Sequence, residues 1–199
     1  MPHSELERAE LAAIVRASAW LMGVLAAVRD QQIPDAWTGA GVLRDLVWGE
    51  RYGHGFHPND VHDVDVAYFD PGDLSRANDD RVTAGLGKRL PDVPWQARNQ
   101  AAVHTWYARK FGGEPPAPLN SIADAVGTWP ETATAVAVRI ADTGALEVCA
   151  PLGLTDLLHG VWRRNPRRVS LHESFARLER LRPHQRWPGV TVISPRLRS

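Results

Sequence analysis

The sequence has 199 residues, of which 44% are hydrophobic and 23% charged, and these ordinary values exclude a disordered or fibrous chain. Basic and acidic residues number 23 each, so the chain has no net charge to attract extended DNA or an anionic membrane. It has one cysteine, which excludes an internal disulfide and is typical of a reducing compartment. No apolar run reaches the roughly 18 residues of a membrane span. We therefore expect a cytoplasmic protein without a membrane partner.

The N-terminal segment has a helical pattern. Apolar residues recur at steps of three and four along residues 11–28, which predicts one amphipathic helix from Ser4 to just before Pro34. No change in composition marks a domain boundary further on. We expect a single domain over residues 1–199, in three parts: an N-terminal helix (1–33), a core (35–165), and a C-terminal helix and strand (166–199).

A glycine-containing turn follows a short predicted strand over residues 35–38. Gly39, Ala40 and Gly41 lead into a second helical pattern, and the N–H groups and dipole at such a helix N-terminus stabilise an anion. Arg44 lies one turn into this helix, where a guanidinium reaches either a phosphate or an acidic neighbour such as Asp45. Two glycines are also common simply as turn residues, so both interpretations stay open at this point.

The pair Asp63 and Asp65 lies in a strand predicted over Val61–Phe69. Because a strand has period two, both carboxylates point to one face while Val64 and Val66 point into a core. Two like charges on one face repel unless a cation lies between them, and Mg²⁺ prefers carboxylate oxygens. The pattern predicts a site for Mg²⁺ or Mn²⁺, and an exposed strand face is the alternative.

The rest of the chain alternates helical and strand patterns, which indicates an α/β (α+β) protein. The predicted elements are a helix (74–90), a strand (93–98), a short helix (121–126), a hairpin of two strands (133–140 and 145–150), two helices (154–159 and 171–181) and a last strand (190–193).

The order of these motifs resembles the nucleotidyltransferase superfamily that includes DNA polymerase beta and the CCA-adding enzymes. It is more closely similar to a bacterial nucleotidyltransferase-like family that was formerly a domain of unknown function. The resemblance covers roughly residues 35–165, and its most specific part is the run Trp129-Pro130-Glu131-Thr132-Ala133-Thr134-Ala135. The other matching segments are Gly39–Gly41 with Arg44 and Trp48, Asp63–Val66 with Tyr68–Asp70, and Ala150–Leu154 with Asp156–Leu157.

The resemblance implies a polymerase beta-like fold, with a small mixed sheet flanked by helices. It implies that a nucleoside triphosphate binds with its phosphates at Gly39, Ala40 and Gly41, that Arg44 assists, and that magnesium binds Asp63 and Asp65. Transfer of a nucleoside monophosphate to an acceptor would then release pyrophosphate. The acceptor is not identified, and a small molecule, a protein side chain and a tRNA end are the candidates.

Active members of the superfamily often supply a third carboxylate. Glu147 is the first candidate for this catalytic role and Glu131 the second, although an edge strand or a turn would equally explain them. The neighbouring predicted strand offers only uncharged or basic residues, among them Gln96. A catalytically inactive protein that binds a nucleotide or a partner is therefore the alternative, and an aspartyl phosphotransferase using Asp63 as nucleophile is a third.

Overall fold

The protein is described by a computed structural model that covers residues 3–112 and 114–196. Its helices and strands in chain order are α1 (His3–Ala17), α2 (Ala19–Asp30), β1 (Trp37–Gly39), α3 (Gly41–Tyr52), β2 (Val64–Tyr68), α4 (Arg76–Arg89), β3 (Trp95–Asn99), α5 (Val103–Phe111), α6 (Ile122–Val126), β4 (Ala137–Ile140), β5 (Leu146–Cys149), α7 (Thr155–Leu158), β6 (Val161–Arg163), α8 (Leu171–Leu181), α9 (Pro183–Arg186) and β7 (Thr191–Ile193).

The main sheet has five strands in the order β3-β2-β1-β4-β5. Strands β2 and β3 are parallel, since α4 connects them as a crossover helix, and every other pair is antiparallel. A second, two-stranded sheet pairs β6 with β7 in parallel. The predicted fold class, a small mixed sheet flanked by helices, is confirmed.

The two faces of the main sheet are covered unequally. Val64 of β2 points into the largest core cluster, which α1, α2 and α3 cover, and Val66 on the same face packs in a second cluster with Leu86 of α4. Ala67, on the opposite face, belongs to a smaller cluster that includes Ile122 of α6. Asp65 alternates with these valines and so lies on the side of the smaller cluster. The side chain of Asp65 therefore lies on the sheet face that α6 covers.

The N-terminal segment differs from the single helix that the sequence predicts. It forms two helices, α1 and α2, which meet at 97° around Ser18. The break arises because the Ser18 hydroxyl accepts a hydrogen bond from the N–H of Leu21 and so starts a new helix. No described helix has by itself the length and hydropathy of a membrane span; only α1 and α2 taken together reach them, across this bend.

Several strands are shorter than predicted. The segment before β2 contains a 3₁₀ turn over Pro58–Asp60, and another 3₁₀ turn, Thr132–Thr134, precedes β4. The C-terminal part contains the predicted helix α8, followed by α9 and by β7. The sequence analysis does not predict α5 or β6; β6 forms its sheet with β7, a strand nearly thirty residues further along the chain.

Candidate functional site

The turn between β1 and α3 lies beside the two aspartates. Gly39 is directly opposite Asp65 in the antiparallel pair of β1 and β2, so the turn that follows Gly39 is at the end of β2 where Asp63 stands. The N–H of Ala40 donates to the carbonyl of Val136 over 3.1 Å, which ties the turn to the segment before β4. The glycine turn and both carboxylates therefore occupy one end of the sheet.

The three turn residues have different physical reasons to be there. A Cβ at Gly39 would overlap the carbonyl oxygen of Val136 and lie 2.8 Å from the Cα of Ala137, so the close approach of the β4 backbone requires glycine. A Cβ at Gly41 would meet only ordinary contacts, 3.6 Å from Nη2 of Arg44 and 3.9 Å from Oδ1 of Asp63. Space inside the protein therefore explains Gly39 but does not explain Gly41.

Ala40 holds a strained backbone in this turn. Its φ of 57° and ψ of −120° are a conformation that glycine adopts readily and alanine rarely. Such strain persists only where the surroundings hold it, and it is common at binding turns. Within the described residues no side chain caps the N-terminus of α3, and its first turn carries no acidic residue. The first N–H groups of α3 therefore keep their capacity to bind an anion.

The structure brings Asp63 and Asp65 close enough to influence each other. The side chain of Asp65 is partly exposed, but protein fills most of the space around it. This burial, and then the negative charge of Asp63, raise the pKa of Asp65 from 3.8 to about 7. Arg177, Arg98 and Arg44 oppose the shift, in that order of strength. The pair of carboxylates thus lies among three arginines.

Arg177 and Glu131 form an ion pair beside the aspartates. The Glu131 side chain is 2% exposed and its carboxylate accepts bonds from Nε (2.6 Å) and Nη2 (3.2 Å) of Arg177 and from the hydroxyl of Thr134 (2.9 Å). Burial alone lowers the pKa of Arg177, but Glu131, Asp65 and Asp63 raise it above its usual value. The sequence analysis missed Arg177. The one signal was Glu131 at the start of a predicted strand, and that signal does not identify the partner of the glutamate.

Arg44 is held in place by ion pairs rather than free. Its Nε and Nη2 both donate to Oδ1 of Asp45, over 2.9 and 2.6 Å, while Oδ2 of Asp45 accepts from Arg186 over 3.2 Å. The guanidinium also lies 5.2 Å from the ring centre of Trp187. The sequence left open a pair with Asp45, and this is the contact that forms, with Nη2 still next to Gly41.

A cavity of about 220 Å³ lies on the Arg44 side of the turn. Residues of α3, of the segment before β2 and of the end of α9 line it, including Asp45, Phe56, His57, Asp60 and Trp187. A larger cavity of about 350 Å³ lies beside β1 and the end of β4, and neither aspartate lines it. Neither of these two cavities is lined by Asp63, by Asp65 or by a residue of the glycine turn.

The structure does not bring Glu147 to the site. Glu147 lies in the edge strand β5, and its carboxylate bonds Nε of Arg139 over 2.6 Å. Three strand spacings separate it from β2, roughly 14 Å at about 4.8 Å each. The proposed catalytic role of Glu147 does not fit this position, and the edge-strand explanation does.

Glu131, the second candidate for a third carboxylate, lies near the site but is engaged by Arg177. The residue that pairs with Asp65 in β3 is Gln96, which is uncharged. In the part of the chain that the structure describes, no three His, Cys, Asp or Glu side chains form a group able to hold a metal ion. The side chains that could ligate a metal ion at this site are those of Asp63 and Asp65.

Comparisons with known proteins identify the family of this chain and a similar fold. A family model described as nucleotidyltransferase matches residues 26–192. An NMR structure described as revealing a CCA-adding enzyme head domain superposes with a TM-score of 0.77 at 25% identity, covering 94% of this chain and 95% of that chain.

Two apo structures of a tRNA-processing enzyme are 19% and 17% identical and each covers 85% of this chain, but only 44% and 42% of their own chains, with TM-scores of 0.49. A search of curated protein sequences found no match. The family match runs from within α2 to within β7 and includes the glycine turn, both aspartates and Arg177. The chain therefore belongs to the nucleotidyltransferase family.

Proposed function

We propose that this protein is a metal-dependent nucleotidyltransferase that moves a nucleoside monophosphate from a nucleoside triphosphate to an acceptor and releases pyrophosphate. The observation that carries the proposal is the juxtaposition of an uncapped helix N-terminus with two carboxylates, where a Cβ at Gly41 would lie 3.9 Å from Oδ1 of Asp63. An anion and a cation site thus meet at one place. The single cysteine supports a cytoplasmic location for this activity.

Asp63 and Asp65 fit a divalent cation such as Mg²⁺ or Mn²⁺. Both offer hard oxygen donors. Burial and then the repulsion from Asp63 raise the pKa of Asp65, and a positive ion between the two carboxylates relieves that repulsion. When bound, such an ion neutralises triphosphate charge and stabilises the oxygens that attack and leave phosphorus. The protein's part is to hold two carboxylates at a fixed distance from the phosphate turn.

The glycine turn and Arg44 would hold the far end of the triphosphate. Phosphate oxygens accept hydrogen bonds from the first N–H groups of α3, and the helix dipole favours their charge. Asp45 fixes the guanidinium of Arg44 next to Gly41, so this arginine contributes positive charge without needing to reorient.

The acceptor is the part of the reaction that the site constrains least. The neutral net charge favours a small molecule or a protein side chain over a long nucleic acid. The similarity to a CCA-adding enzyme head domain makes a tRNA 3′ end a further acceptor to include. All three classes belong in the first assay.

The proposal is tested by transfer of radiolabel from each α-labelled nucleoside triphosphate, with Mg²⁺ or Mn²⁺, into fractionated cell extract and into total tRNA. The wild-type protein is compared with Asp63→Asn/Asp65→Asn, and Glu147→Gln serves as the matched control because it removes a carboxylate outside the site. We expect label transfer by wild type and the control but not by the double variant. Equal transfer by all three would refute the proposed role of the aspartates.

A second candidate function is nucleotide binding without turnover. It is favoured by Gln96, which occupies the position beside Asp65 where a third carboxylate would stand. In that case no label moves, while calorimetry still shows metal-dependent binding of nucleotide that the Asp63→Asn/Asp65→Asn variant loses. If neither transfer nor binding is found, both candidate functions are wrong.

A further inference from the structure

The C-terminal helix α8 supplies one side chain to the site. Arg177 lies in the second half of α8, whose start is fixed by reciprocal hydrogen bonds between Ser170 and Glu173. From there its guanidinium reaches Glu131, a residue 46 positions earlier in the chain. Helix α8 lies outside the region on which the sequence resemblance rests, so nothing in that resemblance assigns Arg177 a role.

Glu131 fixes the orientation of this guanidinium. Two parallel hydrogen bonds use Nε and Nη2 of Arg177, and the hydroxyl of Thr134 holds the same carboxylate from another side. A bidentate contact of this kind sets the plane of the guanidinium as well as its position. Nη1 is the guanidinium nitrogen that neither of these two hydrogen bonds uses.

The side chain of Arg177 is more exposed than that of its ion-pair partner Glu131. Glu131 is 2% exposed, but the side chain of Arg177 remains 34% exposed, so part of this side chain is accessible to a further ligand. Its charge also acts on Asp65 more strongly than that of Arg98 or Arg44. The segment that begins at Glu131 also carries Val136, whose carbonyl accepts the N–H of Ala40, so one segment holds both Arg177 and the glycine turn.

Arg44 and Arg177 are positioned to contact different phosphates of a nucleotide. Arg44 lies next to Gly41, at the phosphate turn, and Asp45 already occupies its Nε and Nη2. Arg177 lies at the carboxylates, where the phosphorus that is attacked must be held. The reacting phosphorus of a nucleotidyl transfer is the α-phosphorus, which the metal-binding carboxylates must adjoin.

We propose that Arg177 is a substrate-binding arginine whose Nη1 contacts the α-phosphate of the bound nucleotide, and that Glu131 is the residue that positions it. The proposal rests on the proposed function for the location of the nucleotide, but its test is a binding measurement. It adds α8 to the elements that build the site.

The test compares binding of ATP, ADP, AMP and adenosine by calorimetry with Mn²⁺ present, and the guanosine, cytidine and uridine series likewise. The variant is Arg177→Met/Glu131→Gln, in which the second change avoids leaving a buried carboxylate unpaired. Arg180→Met, an exposed arginine of the same helix, is the control. Thermal unfolding of all three proteins shows that each is folded.

We expect the double variant to lose affinity for every ligand that carries an α-phosphate but not for the nucleoside. The double variant binds the nucleoside as wild type does, binds the monophosphate about 10-fold to 100-fold more weakly, and shows the same ratio for the diphosphate and triphosphate. Glu131→Gln alone weakens the monophosphate by a smaller factor with the same pattern. A purely structural ion pair would instead weaken all four ligands equally or none.

Two results overturn the inference. One is unchanged affinity for the monophosphate, including the case in which only the triphosphate is affected, because the contact is then not with the α-phosphate. The other is that no nucleotide of any series binds the wild type, which also refutes the proposed function. If the expected pattern is found but no label is ever transferred, the proposed turnover fails while the role of Arg177 stands.

Discussion

Gly39 and Asp65 are direct partners across β1 and β2, so the residue that begins the glycine turn and one of the two site carboxylates lie opposite each other on neighbouring strands. This pairing places the N-terminus of α3 at the same sheet end as Asp63 and Asp65. Gly39 also admits the backbone of Val136, which anchors Ala40. One glycine thus allows the packing that holds the turn against the site.

The two glycines of the turn are expected to respond differently to alanine. Gly39→Ala would force a Cβ onto the carbonyl of Val136, so we expect a loss of about 2 kcal/mol or more in the free energy of unfolding. Gly41→Ala meets no such overlap, so its unfolding should change by less than about 1 kcal/mol. Urea unfolding measures both.

The Gly41→Ala variant distinguishes a role of the turn in phosphate binding from a role in packing. Gly41→Ala places a methyl group beside Asp63 and the first N–H groups of α3, so we expect about 10-fold weaker binding of a nucleoside triphosphate and little change for the nucleoside. A stable Gly41→Ala protein with unchanged triphosphate affinity would contradict phosphate binding at this turn.

Ala40→Gly is expected to stabilise the protein. The native φ of 57° with ψ of −120° costs alanine about 1 to 3 kcal/mol, which exceeds the 0.5 to 1 kcal/mol of extra backbone entropy that glycine loses on folding. We therefore expect a gain of about 1 kcal/mol in urea unfolding. Ala36→Gly, a substitution in the loop before β1, is the control, and a gain there of the same size would show that turn strain is not the cause.

Asp65→Asn is expected to stabilise the metal-free protein in a pH-dependent way. The pKa of Asp65 is raised from 3.8 to about 7, so the folded state holds the proton more tightly than the unfolded state. The wild-type protein thus loses stability as pH rises from about 4 to 7, and the loss levels off above that range. Asparagine does not ionise, so the variant avoids this loss. At 1.36 kcal/mol per pKa unit, its free energy of unfolding should exceed that of wild type by up to about 4 kcal/mol.

This pH dependence is measured by urea unfolding in EDTA at several pH values between 5 and 8. The difference between Asp65→Asn and wild type should grow over that interval, and Mg²⁺ should stabilise wild type more than the variant because the ion relieves the same repulsion. A difference that is constant from pH 5 to 8 would argue against the raised pKa.

Glu147→Gln is expected to leave nucleotidyl transfer within about two-fold of wild type. The substitution removes a partly exposed ion pair with Arg139 at the far edge of the sheet, which is worth less than about 1 kcal/mol. Steady-state kinetics checks the rate, and thermal unfolding checks the stability. A loss of activity of ten-fold or more would restore Glu147 as a catalytic candidate.

Local pattern was enough to predict some elements and not others. Strand β2 and helix α3 were predicted because period-two and period-3.6 patterns are visible within ten residues. The bend at Ser18 was missed, since the apolar pattern continues across it and only the hydroxyl that caps α2 marks the break. Strand β6 was missed because three residues form a strand only when a distant partner, β7, lies beside them.

The sequence by itself determined which functional groups the protein carries: a glycine turn before a helix and two carboxylates two residues apart in a predicted strand. It also carries enough similarity to indicate a nucleotidyltransferase. The tertiary structure decided which charges meet. It placed Arg177 and Glu131 at the aspartates and Glu147 three strands away. The physical reason is that periodicity reports which side of its own element a residue occupies, whereas contacts between residues tens of positions apart depend on how the elements pack.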